Sequence, residues 1–208
     1  MKGMRSVGNV NLRRGVLSWS DHSLSWGTAM TVAVPARYDA VARTLHWVMA
    51  AAIMALWVVG HMIDALPKGP VRSEVIGLHK AIGVVLLVLA VARLAWRLAR
   101  PQPPLPASMP AMERLMASAG HFALYSLMVL IPVDGVLMSQ SGGREVSVFG
   151  LVLPSLVGKN DALREIFKGG HEVLGWVLAA VLVGHVAAAL RHRFILRDEV
   201  MDRMLPGR

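Results

Sequence analysis

The chain contains no cysteine. That excludes disulfides, iron–sulfur clusters and the Cys-x-x-Cys-His attachment that covalent haem requires. No stretch alternates apolar and polar residues with period two, which argues against a membrane β-barrel. Acidic residues are few: 13 Asp and Glu stand against 22 Lys and Arg, a net charge of +9. The basic excess gathers at the ends of apolar runs, so its placement says more than its sum, and no nucleic-acid partner is expected.

What the sequence has in abundance is apolar surface, at 55% of 208 residues. That is too much for a soluble domain and suits a small bundle of membrane helices. Four stretches are long enough to span about 30 Å of hydrocarbon. The first has no charge between Arg43 and Asp64, and the second covers roughly residues 75–98. The third has no charge between Arg114 and Asp134 and continues to about Met138; the fourth has none between Glu172 and Arg191. The expected fold is therefore an all-α membrane protein, a bundle of four transmembrane helices.

The prolines of "RPQPPLPASMP" mark a stiff connector between the second and third helices. The next connection, roughly residues 139–168, has room for a short surface helix. Residues 1–36 are polar and broken by Asp21 and His22, so they read as a disordered extension or, if Met30 is the true start, an annotation artefact. Residues 37–197 form the membrane domain and 198–208 a C-terminal tail. Lys and Arg precede the first helix (Arg37, Arg43), fill the second connection (Arg97, Arg100, Arg114) and follow the fourth helix (Arg191, Arg193, Arg197, Arg203, Arg208). Positive-inside reasoning then puts both termini in the cytoplasm.

With that topology the histidines sort into two layers. His46, His121 and His185 lie toward the cytoplasmic face, and His79 and His171 toward the outer face. His61 and His192 read as interfacial residues. On the fourth helix, the 14 residues from His171 to His185 correspond to a rise of about 21 Å and a rotation about 40° short of whole turns. One helix face can thus serve two stacked sites. His46 can reach the level of His185, and His79 that of His171. Two histidine pairs across helix interfaces meet the need of b-type haem for an axial nitrogen on each side of a flat ring. "HKAIG" and "HEVLG" also place Gly83 and Gly175 one turn after His79 and His171, where a side chain would collide with a porphyrin. Zinc or copper is the nearest rival, but a metal transporter should bring carboxylates or thioethers to one depth, and the 13 methionines are scattered.

The stretches "RTLHWVMA", "GLHKAIGVVLLVLAVARLAWRL", "RPQPPLP", "GHFALYSLMVLIPVDGVLM", "GGHEVLGWVLAAVLVGHVAAALRHRF" and "RMLP" together resemble the bacterial cytochrome b561 family, over about residues 38–204. The resemblance implies a four-helix inner-membrane cytochrome with two non-covalent b haems. His46 and His185 would ligate the cytoplasmic-side haem, and His79 and His171 the outer one. His121 matches a family histidine surplus to these pairs and is expected to line a haem edge or to trade roles with His46. Arg43, Arg93 and Arg97 are candidate propionate partners for the inner haem, and Arg72, Lys80 and Arg144 for the outer one.

The expected function is electron transfer between the haems and a lipid quinone. Superoxide oxidation with ubiquinone as acceptor is an added possibility from the resemblance, with Lys68, Arg72 and Lys80 attracting the anion. The alternatives are a non-enzymatic haem anchor for a partner dehydrogenase and a carrier of metal or haem. Asp134 departs from the family pattern. It reads as an interfacially solvated carboxylate ahead of a proton relay to quinone. Pro132 and Gly135 beside it predict a kink.

Overall fold

The computed structural model describes residues 36–205; His22 and Met30 lie outside them. Four long helices follow one another: α1 (Ala40–Met62), α2 (Pro70–Ala99), α3 (Ala111–Ser141) and α4 (Asp161–Arg191). Each is long and apolar enough to cross a membrane. The expected four-helix membrane fold is therefore the observed one.

The helix starts follow from local chemistry. The Asp39 carboxylate accepts the Ala42 N–H at 2.8 Å, and the Asn160 side chain accepts the Leu163 N–H at 3.1 Å. Both satisfy a donor that the first turn leaves without a partner. Pro70 opens α2, where its missing N–H is harmless, and Pro110 precedes α3. α3 continues as helix through Pro132.

α4 begins well before its apolar run. Residues 161–168, which the sequence assigns to the connection, form its first turns, and the connection at 142–160 holds no surface helix. Hydropathy marks where hydrocarbon begins, whereas the Asn160 cap marks where the helix begins. The connection instead carries a minimal hairpin, β1 (Ser147–Val148) paired antiparallel with β2 (Leu151–Val152). Its two-residue turn needs positive φ at both positions, which Phe149 (50°) and Gly150 (94°) supply.

The closest helix packing runs in sequence order, α1 on α2, α2 on α3 and α3 on α4. Met49, Leu86 and Ala90 form a small buried cluster between α1 and α2. Many large apolar residues, such as Val48, Val58, Val88 and Val183, point outward instead. That inversion suits lipid, in which apolar faces need no burial and helices associate through close packing and polar contacts.

The two ends of the bundle are tied differently. At the end where the described residues begin and finish, the termini-bearing end, backbone carbonyls of the C-terminal segment accept hydrogen bonds from α1 and the residues just before it. Arg37 donates to Asp202 at 2.7 Å, Trp47 to Met204 at 2.9 Å and Arg43 to Leu205 at 3.1 Å. His192 Nδ1 lies 2.6 Å from the Asp198 carboxylate. Partial burial pushes the Asp198 carboxyl up, but His192, the Val200 N–H and Arg203 outweigh it and hold it below the usual range. At the opposite end, Gln140 donates to Pro154 at 2.9 Å and accepts from the Leu156 N–H at 2.8 Å, fastening the connection to α3.

Candidate functional site

α4 supplies a histidine to each of two clusters. Near the termini-bearing end, the His185 ring centre lies 6.2 Å from that of His46 on α1 and 5.7 Å from that of His121 on α3. Toward the opposite end, His171 lies 6.3 Å from His79 on α2. All five rings are half-buried. His61 and His192 join neither cluster. His61 sits between Trp57 and Trp176, with Nδ1 at 2.8 Å from the Trp57 carbonyl, and His192 pairs with Asp198.

The spacings can be tested against what each site could hold. Two nitrogens bound to one metal at about 2 Å each, with the offsets to both ring centres, come to roughly 6 Å. Among the described residues, no three His, Asp or Glu side chains converge as a metal-ion site. A site with two imidazoles needs its remaining donors from a group such as a macrocycle, so the donor set fits haem better than a bare ion. Among the described residues, His79 Nδ1 and His171 Nδ1 are buried without hydrogen-bond partners. Glycines clear the surroundings. A Cβ added at Gly60 would lie 3.3 Å from His79 Cε1, and one at Gly135 would lie 3.1 Å from His171 Cε1. At Gly83 and Gly175 an added Cβ would meet nothing within 4 Å, so both border open space.

The basic residues are placed unequally. Arg93 donates to the Ala42 carbonyl at 2.7 Å, and its other terminal nitrogen lies 3.4 Å from His46 Nδ1. Arg43 reaches Leu205, and Arg97 is half-buried further along α2. At the opposite end, Arg72 pairs with Asp64 at 2.7 Å, and Lys80 donates to the Glu145 carbonyl at 2.7 Å and the Ser139 hydroxyl at 3.2 Å.

Asp134 is not solvated at an interface. Its side chain is 15% exposed, and Oδ2 lies 3.5 Å from His171 Nδ1. Gly170 makes room for it, since a Cβ there would come within 3.1 Å of Asp134 Oδ1. "DG" on α3 thus faces "GGH" on α4, with a glycine on each helix admitting the other's polar side chain. Sequence reasoning missed this pairing. The available signal was a carboxylate and two glycines sharing a depth with a candidate ligand.

Residues 37–207 match the profile of a family described as prokaryotic cytochrome b561. Over 180 residues the chain is 34% identical to cytochrome b561 homolog 2 of Escherichia coli K12, covering 82% of this chain and 92% of that protein. It is 26% identical over 170 residues to a probable superoxide oxidase CybB of Yersinia pestis, covering 82% and 96%. Cytochrome b561 homolog 1 of Escherichia coli K12 is 25% identical over 165 residues, covering 79% and 94%.

Proposed function

We propose a specific reading of a chain that belongs to the prokaryotic cytochrome b561 family, and so is a multi-pass bacterial membrane protein that holds b-type haem and works in electron transfer. In this reading it carries electrons between two bis-histidine haems and the lipid quinone pool. His46 and His185 hold one haem, and His79 and His171 the other. The observation that carries it is the near-equal spacing of the two pairs, 6.2 and 6.3 Å, both drawn from α4.

When bound, haem would supply one-electron chemistry between the histidines that hold it. The chain's own residues then have separable tasks. The four histidines would hold and orient the group, and Gly83 and Gly175 border open space beside them. Arg43, Arg93 and Arg97 offer charge to anionic propionates at the termini-bearing end, as Arg72, Lys80 and Arg144 do at the other. His121 lies against His185 and lines the edge of that site. By the Lys and Arg distribution the termini-bearing end faces the cytoplasm.

Superoxide is the electron donor this reading favours, with ubiquinone as acceptor. It is supported by the name of the Yersinia pestis relative and by Lys80 near the outer pair. The competing role, anchoring a partner dehydrogenase, predicts a co-purifying subunit and no superoxide-driven quinone reduction.

The deciding measurement is haem content together with the reduced-minus-oxidised spectrum of the purified protein. Two low-spin b haems per chain are expected. A single haem, or an open axial position, overturns the ligand set.

A further inference from the structure

The two histidine pairs have nearly the same spacing, but the charges behind them are of opposite sign. His46 Nδ1 faces the Arg93 guanidinium at 3.4 Å, whereas His171 Nδ1 faces the Asp134 carboxylate at 3.5 Å. We propose that Asp134 is a positioning residue for His171. Its carboxylate takes the Nδ1–H, leaves the Nε2 lone pair for the metal, and lowers the midpoint potential of the haem held by His79 and His171 relative to the other. This rests on the ligand set of the preceding section and goes beyond it.

Three observations carry the inference. A carboxylate inside a membrane helix is costly unless a partner meets it, and such groups usually act in function. Asp134 Oδ2 and His171 Nδ1 are both buried and, among the described residues, otherwise without hydrogen-bond partners, so each supplies what the other lacks. The approach is also built from both helices. Gly170 on α4 admits the carboxylate and Gly135 on α3 admits the ring, each with less than 3.2 Å to an added Cβ. At 3.5 Å the contact is an ion-pair approach slightly longer than an ordinary hydrogen bond.

The chemistry follows from general rules. In a neutral imidazole one nitrogen donates and the other is free to bind metal, and a carboxylate at Nδ1 settles which. The same carboxylate makes the ring a stronger donor and adds negative charge beside the site. Both effects favour the more highly charged oxidised metal, so the potential falls. Among the described residues no carboxylate meets His79 Nδ1, so within the outer pair the effect enters through His171 alone.

The test is a spectroelectrochemical titration of the purified protein with both haems bound. Asp134→Asn keeps an acceptor oxygen while removing the charge. It should raise the midpoint of one haem by roughly tenfold in the reduction equilibrium, about 59 mV for one electron, and leave the other in place. The haem that moves should be the one lost in His171→Ala. Asp161→Asn removes a charge from the exposed start of the same helix, about 15 Å along its axis, and should move neither. Should Asp134→Asn lose the outer haem, Asp134→Glu decides, because a restored carboxylate should return both the haem and its low potential. Full haem content with unchanged potentials in Asp134→Asn overturns the inference, as does a Glu variant that holds haem at a raised potential. Those results leave the ligand set standing. Two haems persisting in His171→Ala would instead overturn the ligand set itself.

Discussion

The bundle presents one histidine-pair spacing twice and surrounds it differently each time. At the termini-bearing end, His185 has two histidine neighbours, His46 and His121, and the nearby charge is the Arg93 cation. At the opposite end His171 has, among the described residues, one histidine neighbour, His79, and the nearby charge is the Asp134 anion. Spacing decides what can be held. The surrounding charge decides how readily an electron is held there, and evolution can adjust it without moving a ligand. The sharpest way to break the comparison is to remove one histidine from each side. His171→Ala and His185→Ala should each lose one haem, and the two residual spectra should differ. Haem per chain, measured after purification, should fall from two to one in both. Should His185→Ala retain two, with His46 and His121 closing on one another, the surplus histidine would be a ligand in reserve.

A somewhat smaller effect separates space from ligation. Gly175 borders open space at the end where His79 and His171 meet, and its carbonyl accepts the Trp57 indole N–H at 3.1 Å. Gly175→Leu keeps every histidine but fills that space. Occupancy of the outer site should drop severalfold while the spectrum of the inner one is unchanged. Equal loss at both sites would mean that the glycine supports the helix pair rather than the cofactor.

The next effect reverses the sign of the Asp134 experiment. Arg93→Gln removes a cation beside His46 and should lower the midpoint of the inner haem, by up to roughly tenfold in the reduction equilibrium. Arg93→Lys keeps the charge but not the fork that also reaches the Ala42 carbonyl, and should shift it less. A redox titration of both variants beside Asp134→Asn would show whether the two ends are poised in opposite directions. Movement of both haems together in any of them would point to a field too diffuse to distinguish the sites.

How much of this was legible in the sequence depends on the range of each signal. The four helices follow from charge-free runs, because hydrocarbon thickness sets a length that composition reveals directly. The histidine layers were equally legible, since helical rise converts the separation of His171 from His185 into depth. The start of α4 was not, because its first turns lie among charges where hydropathy is silent and only the Asn160 cap marks the boundary. Nor was the Asp134–His171 contact. Facing across α3 and α4 depends on the rotation of each helix about its axis, which neither local pattern fixes. The C-terminal segment bound back onto Arg37, Arg43 and Trp47 escaped for a related reason: it accepts through backbone carbonyls, which every residue has.

The smallest expected effect concerns how firmly the Arg93 side of the comparison is anchored. Asp39 caps the first turn of α1 through the Ala42 N–H, and Arg93 holds the carbonyl of that same Ala42. The carboxylate also accepts from the Trp96 indole at 3.0 Å. Partial burial pushes the Asp39 carboxyl up, but the hydrogen bonds from Ala42, Trp96 and Val41 and the nearby Arg100 outweigh it, and the group sits below the usual carboxylate range. A depressed carboxyl stabilises the fold while it is ionised, at any pH above its unfolded value of about 3.9, and that contribution is lost as pH falls through the lower folded value. Asp39→Ala should therefore cost about 1 kcal/mol at neutral pH, the ordinary worth of such a cap, while Asp39→Asn costs less. The gap between Asp39→Ala and the unaltered protein in thermal unfolding should hold from pH 7 to about 5 and narrow below about 4. A gap that instead widened toward acid would mean that the carboxyl is stabilised in its protonated form, and that Trp96 packs against it without donating.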